Sequence, residues 1–346
     1  MCVQVRESVR RIPRVASWYG RRTDAQGAGV DNGPTIWEIP QPRSTFTVRL
    51  DDGGLTTVRR HGNPTGPCLV LSHGTGLAID LYVPFWSALL DDFDVFVHDI
   101  RNHGWNAVGA LANHTIPTFA HDHARIVAAI SRRCGAKPKI GIYHSLAAMA
   151  ALVSLAGTGR ATNAPAREPV LDALVLYDPP LYMRGVTDDV FFGLAEVAAV
   201  KTRRKRSRFA TQADFEARVA RAARFAHVVP GVYNLMARTM LRECVDGPGY
   251  ELRCPREYEA RVFADARRWT PRVDFAGIGC PVKVIASDPS SPAAYVPSLD
   301  DHQLAVVEYE TIPGTTHFLQ LEAPAACVRA ALAYLRRRRL LGDVEI

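Results

Sequence analysis

The sequence has no long apolar run. Across its 346 residues, no stretch approaches the roughly 20 apolar residues that cross a bilayer as a helix. The N-terminal segment, MCVQVRESVRRIPRV, carries charged side chains but lacks the apolar segment of a secretory signal. We therefore expect a protein that neither enters a membrane nor is exported.

Paired cysteines are also missing. The seven cysteines are an odd number, and no two of them form a C-x-x-C pair. This pattern argues against a disulfide framework and against a zinc site. His121 and His123 are close in sequence, but no third ligand lies near them, so they do not suggest a metal site either. We expect a cytoplasmic protein with reduced thiols, without a metal or another cofactor.

The charge is unbalanced toward the basic side, with a formal net charge of +7. The densest basic runs are residues 201–208 (KTRRKRSR) and residues 336–339. Neither run is interleaved with aromatic residues or accompanied by a nucleic-acid-binding motif. We therefore interpret both as solvated helix faces and expect no nucleic-acid partner. If part of the first run faces a pocket instead, it would favour an anionic small-molecule substrate.

Short apolar runs alternate with helical patterns through most of the chain. Runs typical of strands occupy residues 68–72, 94–100, 140–143, 171–177, 281–286 and 304–309. Strands that alternate with helices at this spacing predict a mostly parallel, doubly wound α/β sheet. We assign residues 44–180 and 266–346 to this core.

Two segments depart from the alternation. Residues 1–43 are rich in Arg, Gly and Pro and show no sustained periodicity, which predicts a partly irregular N-terminal extension. Residues 181–265 have helical patterns and many Arg and Ala residues. We interpret this second segment as a helical cap, or lid, inserted into the core.

One stretch joins a strand to a helix without a loop. Residues 140–143 favour a strand, residues 146–152 are strong helix formers, and only two residues lie between them. Such a corner strains the backbone and exposes the hydroxyl of Ser145. Ser145 taken alone could equally be a helix N-cap. The usual G-x-S-x-G pattern is also incomplete, because Tyr143 and Ala147 replace its glycines.

Polar residues follow the ends of the predicted strands, where open α/β sheets bind ligands. They are Thr75, Ser145, Asp178, Asp288 and His317. Acyl transfer needs a nucleophile, a base, an acid that orients the base, and N–H donors for the oxyanion. Ser145, Asp288 and His317 supply the first three in the chain order of the nucleophile-elbow enzymes. The backbone N–H groups of Thr75 and Leu146 supply the donors. Asp178 is the alternative acid, and we prefer Asp288 because two prolines after Asp178 suit an exit into the cap.

Six short motifs resemble, in their order, those of the α/β-hydrolase superfamily with a helical cap. They are HGTG (73–76), DIRNHG (99–104), YHSLA (143–147), LYDPP (176–180), IASDPS (285–290) and PGTTHFLQLEAP (313–324). The resemblance covers most of residues 44–346. It implies that Ser145 is the nucleophile, that Asp288 follows the seventh core strand as the acid, and that His317 is the base. It also implies that Thr75 and Leu146 form the oxyanion hole.

The predicted function is that of a serine hydrolase acting on a carboxylic ester, lactone or thioester. The same fold hosts C–C bond hydrolases and cofactor-independent oxygenases, so both remain alternatives. The incomplete elbow leaves a third possibility, a catalytically weak ligand-binding protein.

Overall fold

Eleven strands are present in the described part of the chain, and eight of them form one central sheet. The computed structural model describes residues 35–156, 171–181, 187–269, 275–291 and 301–341. The strands are β1 (Ser44–Arg49), β2 (Leu55–Gly62), β3 (Cys68–Ser72), β4 (Asp94–His98), β5 (Lys139–His144), β6 (Ala173–Tyr177), β7 (Arg208–Phe209), β8 (Leu241–Glu243), β9 (Tyr250–Leu252), β10 (Val282–Ala286) and β11 (Val307–Thr311). The order across the central sheet is β1-β2-β4-β3-β5-β6-β10-β11.

The central sheet is mostly parallel, as the sequence predicts. β2 pairs antiparallel with β1 and with β4, and all the other neighbours pair in parallel. Apolar runs in the sequence predict β3, β4, β5, β6 and β10. These five strands are buried along their length, apart from the first residue of β5. Parallel strands covered on both faces have this continuous apolar character.

Helices cover both faces of the sheet. In chain order they are α1 (Val83–Trp86), α2 (Ile116–Cys134), α3 (Leu146–Ala156), α4 (Asp188–Arg203), α5 (Gln212–Ala220), α6 (Val232–Met240), α7 (Arg256–Trp269), α8 (Asp301–Val306), α9 (Leu319–Glu322) and α10 (Pro324–Arg337). Side chains of α2 and α3 belong to one buried cluster and those of α1 and α10 to the other. Along β6, Val175 and Tyr177 join one cluster, whereas Leu174 joins the other, as the two-residue period of a strand requires. The predicted doubly wound arrangement is confirmed.

The chain between β6 and β10 interrupts the sheet. Helices α4 to α7 lie in this segment, Asp188–Trp269, which we call the insertion. It also holds a small antiparallel sheet in the order β7-β9-β8, which the helical pattern of the sequence does not reveal. Strands of two or three residues are too short to show a periodicity of their own. The division into a core and a cap stays a prediction.

The chain differs from the sequence prediction near β11. Residues 304–309 were predicted to be one strand, but the first three continue α8 and the strand runs from Val307 to Thr311. A short apolar run does not distinguish a helix end from a strand, which explains the error. Most of the predicted N-terminal extension, residues 1–34, lies outside the described residues. Within the described ranges, no helix combines the length and apolarity needed to cross a membrane.

Candidate active site

Ser145 lies at the sharp corner between β5 and α3. Its φ is 50°, in the left-handed region that residues other than glycine seldom adopt. Two backbone hydrogen bonds hold the corner: Ser145 N donates to Tyr177 O at 3.0 Å, and Met149 N donates to Ser145 O at 3.0 Å. The neighbouring strand β6 and the helix α3 therefore both hold the backbone of Ser145.

Tyr143 fits at the elbow because a glycine lies two residues before it. Tyr143 is completely buried, and Gly141 is on the same face of β5. A Cβ atom at Gly141 would lie only 2.5 Å from Tyr143 Cε2 and 2.8 Å from Leu174 Cδ2. In the usual motif a glycine at position 143 provides room between the strand and the helix. Here the glycine at position 141 provides the room that the Tyr143 ring occupies. Ala147 is small enough for the first turn of α3, where its N–H donates to His73 O at 3.3 Å.

Ser145, His317 and Asp178 form one hydrogen-bonded line. Ser145 Oγ lies 2.9 Å from His317 Nε2, and His317 Nδ1 lies 2.7 Å from Asp178 Oδ2. Asp178 is fully buried, whereas 28% of the His317 side chain is exposed. A base with one nitrogen on a hydroxyl and the other on a carboxylate is the arrangement that activates a serine nucleophile.

Asp288, which the sequence analysis preferred as the acid, does not contact His317. Its carboxylate instead accepts hydrogen bonds from Gly314 N at 2.6 Å and from Ser290 N at 2.8 Å. The N–H of Gly314 and the bonds from Ser290 lower the pKa of Asp288. The structure therefore brings together Ser145 and His317 with the alternative acid, Asp178. Asp178 follows β6, directly beside β5, whereas Asp288 follows β10, one strand further away.

The predicted oxyanion donors lie next to the serine. Gly74, in the HGTG loop, packs so closely that a Cβ atom there would lie 3.2 Å from Ser145 Cβ. Within the described residues, neither the N–H of Thr75 nor that of Leu146 donates a hydrogen bond. Both N–H groups are therefore unused by the described part of the chain. Thr75 also has a buried hydroxyl with no described partner.

Residues 69–330 match the sequence model of the Alpha/beta hydrolase family. The chain belongs to this family. The resemblance stated from the motifs is thereby confirmed, together with the α/β-hydrolase fold.

Solved structures of other α/β-hydrolases share this fold at low sequence identity. A protein from Novosphingobium aromaticivorans has a TM-score of 0.63 and 15% identity, over 86% of this chain and 99% of that one. A peroxisomal enzyme from Saccharomyces cerevisiae has a TM-score of 0.62 and 15% identity, over 88% and 90% of the two chains. An E-2-(acetamidomethylene)succinate hydrolase has a TM-score of 0.62 and 18% identity, over 85% and 100%. Among curated proteins, none matches the chain by sequence.

A chain of hydrogen bonds joins the HGTG loop of this α/β-hydrolase to His317. Gly74 N donates to Tyr82 Oη at 3.2 Å, Tyr82 Oη lies 2.7 Å from His144 Nδ1, and His144 Nε2 lies 2.8 Å from His317 O. A carbonyl oxygen only accepts, so His144 Nε2 carries the proton and Nδ1 accepts from the tyrosine. Burial, with a smaller effect of His317, lowers the pKa of His144 well below its ordinary value. His144 is therefore a neutral link between two parts of the site, which its sequence position did not reveal.

A cavity of about 630 Å³ opens above Ser145, a size typical of small-molecule sites. Ser145, His317 and Thr75 line it together with side chains of the insertion. Its aromatic lining is formed by Phe209, Phe215, Phe225, Phe263 and Phe318. Five basic side chains also line it, namely Lys205, Arg206, Arg218, Arg221 and Arg224. The cavity is thus apolar in part and basic in part.

Among the described residues, one group of side chains has donor atoms close enough to suggest a metal site. Ligand atoms of His103, His114 and Cys254 lie within 4.8 Å of one another, and all three residues are buried. However, His103 Nε2 already accepts from Gly76 N at 2.9 Å, and its Nδ1 bonds to Arg101 O. With His103 engaged on both sides, only two ligands remain. We assign no metal to this group, and the expected absence of a cofactor stays a prediction.

Proposed function

We propose that this α/β-hydrolase is a serine hydrolase that cleaves a carboxylic ester, lactone or thioester through an acyl-enzyme. The hydrogen-bonded line Ser145–His317–Asp178, with contacts of 2.9 and 2.7 Å, carries the proposal. The chain belongs to a hydrolase family, and the proposal adds the bond type and the roles of individual residues.

In the first half of the reaction, Ser145 Oγ attacks the carbonyl carbon while His317 Nε2 takes the hydroxyl proton. Negative charge develops on the carbonyl oxygen, and the N–H groups of Thr75 and Leu146 donate to it. When the tetrahedral intermediate collapses, His317 gives the proton to the departing alcohol or thiol. In the second half, water attacks the acyl-enzyme along the same proton path and releases the acid.

Asp178 has an orienting and electrostatic role in this proposal. Its Oδ2 accepts from His317 Nδ1, which leaves the lone pair of Nε2 directed at Ser145. The carboxylate is itself held by Ser287, whose N–H donates to Oδ1 at 3.0 Å. Because Asp178 is fully buried, its negative charge acts at short range on the imidazolium that forms during the reaction.

The geometry of the elbow bears on one of the alternative functions, the weak ligand-binding protein, and leaves C–C bond hydrolysis open. A weak ligand-binding protein was suggested by Tyr143 at the elbow, and the room that Gly141 provides removes that reason. C–C bond hydrolysis would use the same nucleophile and stays a variant of the proposal. A thioesterase domain from the curacin biosynthetic pathway is similar in structure, but at 15% identity this likeness shows only the fold.

A fluorophosphonate probe and short p-nitrophenyl esters test the proposal. We expect the probe to label the wild type and not the Ser145→Ala variant, and we expect this variant to lose at least about 10³-fold in kcat. Ser131→Ala, on α2 and outside the cavity, is the matched control and should behave as the wild type. Wild-type turnover by Ser145→Ala, or an unlabelled but folded wild type, would refute the proposed function.

A further inference from the structure

We propose that the outer part of the cavity binds an anionic group, a carboxylate or a phosphate, on the substrate whose ester or thioester bond Ser145 cleaves. Arginines of the insertion form this second subsite. The inference rests on the proposed function, because it names the substrate class for the same site.

The first observation is the face that α5 presents to the cavity. Asp214, Ala217, Arg218 and Arg221 all line the cavity and follow one another at helical spacing. Phe215 and Val219 of the same helix are buried and line the cavity as well. Both apolar and polar side chains of α5 thus line the cavity that contains Ser145, and the exposed polar ones belong to its outer part.

The second observation is the surplus of positive charge. Two acidic side chains, Asp214 and Glu259, line the cavity against the five basic ones. Glu259 is paired with Lys205, and Asp214 accepts from the N–H of Thr211 in the capping box of α5. The four arginines, at positions 206, 218, 221 and 224, form no ion pair with the described part of the chain.

The third observation is how those guanidinium groups are held. Arg221 Nε donates to Ala217 O at 3.0 Å, and Arg206 Nε donates to Arg208 O at 2.8 Å. Arg206 also lies over the ring of Phe209, and Arg224 over that of Phe225. A guanidinium group has five N–H donors, so each contact orients the group and leaves most donors for a ligand. Carboxylates and phosphates accept two such bonds at once.

The fourth observation is the separation of the two chemistries. Ser145 and Thr75 are buried or half-buried, whereas Arg218, Arg221 and Arg224 are exposed. Phe209, Phe215 and Phe225, which also line the cavity, are buried. The arrangement fits a substrate with its scissile bond at the buried end of the cavity and an anion at the exposed end.

The sequence had pointed to the basic run at residues 201–208, and the structure divides that run. Lys205 and Arg206 line the cavity, whereas Arg203 and Arg204 are exposed and are not part of its lining. Arg203 and Arg204 therefore provide a control with the same change in net charge. Arg218 and Arg221 are the arginines to test, because neither has an aromatic contact in the described structure whose loss would disturb packing.

The experiment compares esters that differ by one charge. Mono-p-nitrophenyl adipate is paired with p-nitrophenyl methyl adipate, and S-butyryl-4′-phosphopantetheine with S-butyryl-pantetheine. For the Arg218→Gln/Arg221→Gln variant, the anionic-to-neutral ratio of kcat/KM should fall about tenfold. It should stay within about twofold of the wild type in the control Arg203→Gln/Arg204→Gln. In Arg218→Lys/Arg221→Lys, which keeps the charge but loses the paired guanidinium donors, it should lie between the wild type and the glutamine variant. Raising the salt from 0.02 to 0.2 M should lower the wild-type ratio and have less effect on the glutamine variant.

The outcomes are distinct. A lowered ratio in either pair supports the subsite and identifies the anion as a carboxylate or a phosphate. An unchanged ratio in both pairs, or an equal loss on charged and neutral esters, overturns the subsite while leaving the serine mechanism intact. Failure of the proposed function itself would instead show as neutral-ester turnover that survives Ser145→Ala. Protection of Ser145 from the fluorophosphonate by adipate, compared with dimethyl adipate, gives the same comparison without turnover.

Discussion

The identity of the triad acid can be tested by changing the two candidate aspartates to asparagine one at a time. Asp178→Asn keeps the size of the side chain but removes its charge. The new amide can donate to His317 Nδ1, which would place the ring proton on Nε2, facing Ser145. In that tautomer the imidazole cannot accept the serine proton. We therefore expect a chemical defect with the geometry of the site preserved.

The size of the effect follows from the contact. Asp178 Oδ2 lies 2.7 Å from His317 Nδ1 and is excluded from solvent. With charge centres about 4 Å apart and an effective dielectric constant of about 20, the carboxylate stabilises the imidazolium by about 4 kcal/mol. Since about 1.4 kcal/mol corresponds to a factor of ten in rate, we expect kcat/KM to fall by about 10³-fold or somewhat more.

Asp288→Asn is the matched control. The carboxylate of Asp288 accepts from Gly314 N and Ser290 N, and an asparagine oxygen can still accept one of these bonds. Its kcat/KM for a p-nitrophenyl ester should stay within about tenfold of the wild type, because its carboxylate anchors the loop before His317 but does not touch the reacting groups. Melting temperatures of both variants and their rates of labelling by the fluorophosphonate separate a catalytic defect from loss of fold.

The opposite result would refute the assignment. If Asp288→Asn lost 100-fold or more while Asp178→Asn stayed within tenfold of the wild type, the hydrogen bond between Asp178 and His317 would not be the one used in catalysis. Equal and small losses would mean that neither carboxylate orients the base.

Two further predictions concern stability. Burial lowers the pKa of His123 to about 3, so below about pH 6.5 the unfolded chain takes up a proton that the folded chain refuses until about pH 3. As the pH falls, the free energy of unfolding should therefore decrease, with a slope for this residue that approaches about 1.4 kcal/mol per pH unit near pH 5, and His123→Leu should remove that part of the slope in urea titrations between pH 7 and 5. Gly141→Ala should destabilise the fold by about 1–3 kcal/mol, because the added Cβ would meet Tyr143 and Leu174. An unchanged slope in the first case, or an unchanged urea midpoint in the second, would contradict these packing arguments.

The sheet was predictable because each buried strand is a short apolar run bounded by turn residues. The elbow was predictable because a strand pattern is followed almost at once by a helix pattern. In the structure only Ser145 separates β5 from α3. Tyr143 could not be interpreted from the usual motif alone, because the motif does not record that Gly141 faces the same side. To find that Gly141 makes room for Tyr143, one has to use the two-residue period of a strand to ask which side chains pack against each other, as well as which ones are buried.

The partner of His317 could not be chosen from the sequence, because it depends on where each carboxylate lies in space. Asp178 and Asp288 both follow strands, and chain order alone permits either of them. In the structure Asp178 follows β6, which lies between β5 and β10, and its carboxylate is the one that contacts His317. A left-handed φ of 43° at Asp178 then turns the carboxylate at the strand end. The two prolines that follow, which we had interpreted as a mere chain exit, are compatible with both roles.

The residues after β10 still contribute to the position of His317, one step removed from it. Ser287 donates to the Asp178 carboxylate through its N–H and lies 3.3 Å from it through Oγ. Asp288 accepts from Gly314 N and donates its own N–H to Thr315 O at 3.2 Å, which anchors the loop just before His317. Ser287 and Asp288 thus hold the Asp178 carboxylate and the loop before His317, respectively. The position of His317 depends both on the Asp178 carboxylate and on the loop that precedes it. Ser287 and Asp288 therefore support the site although neither of them touches the histidine.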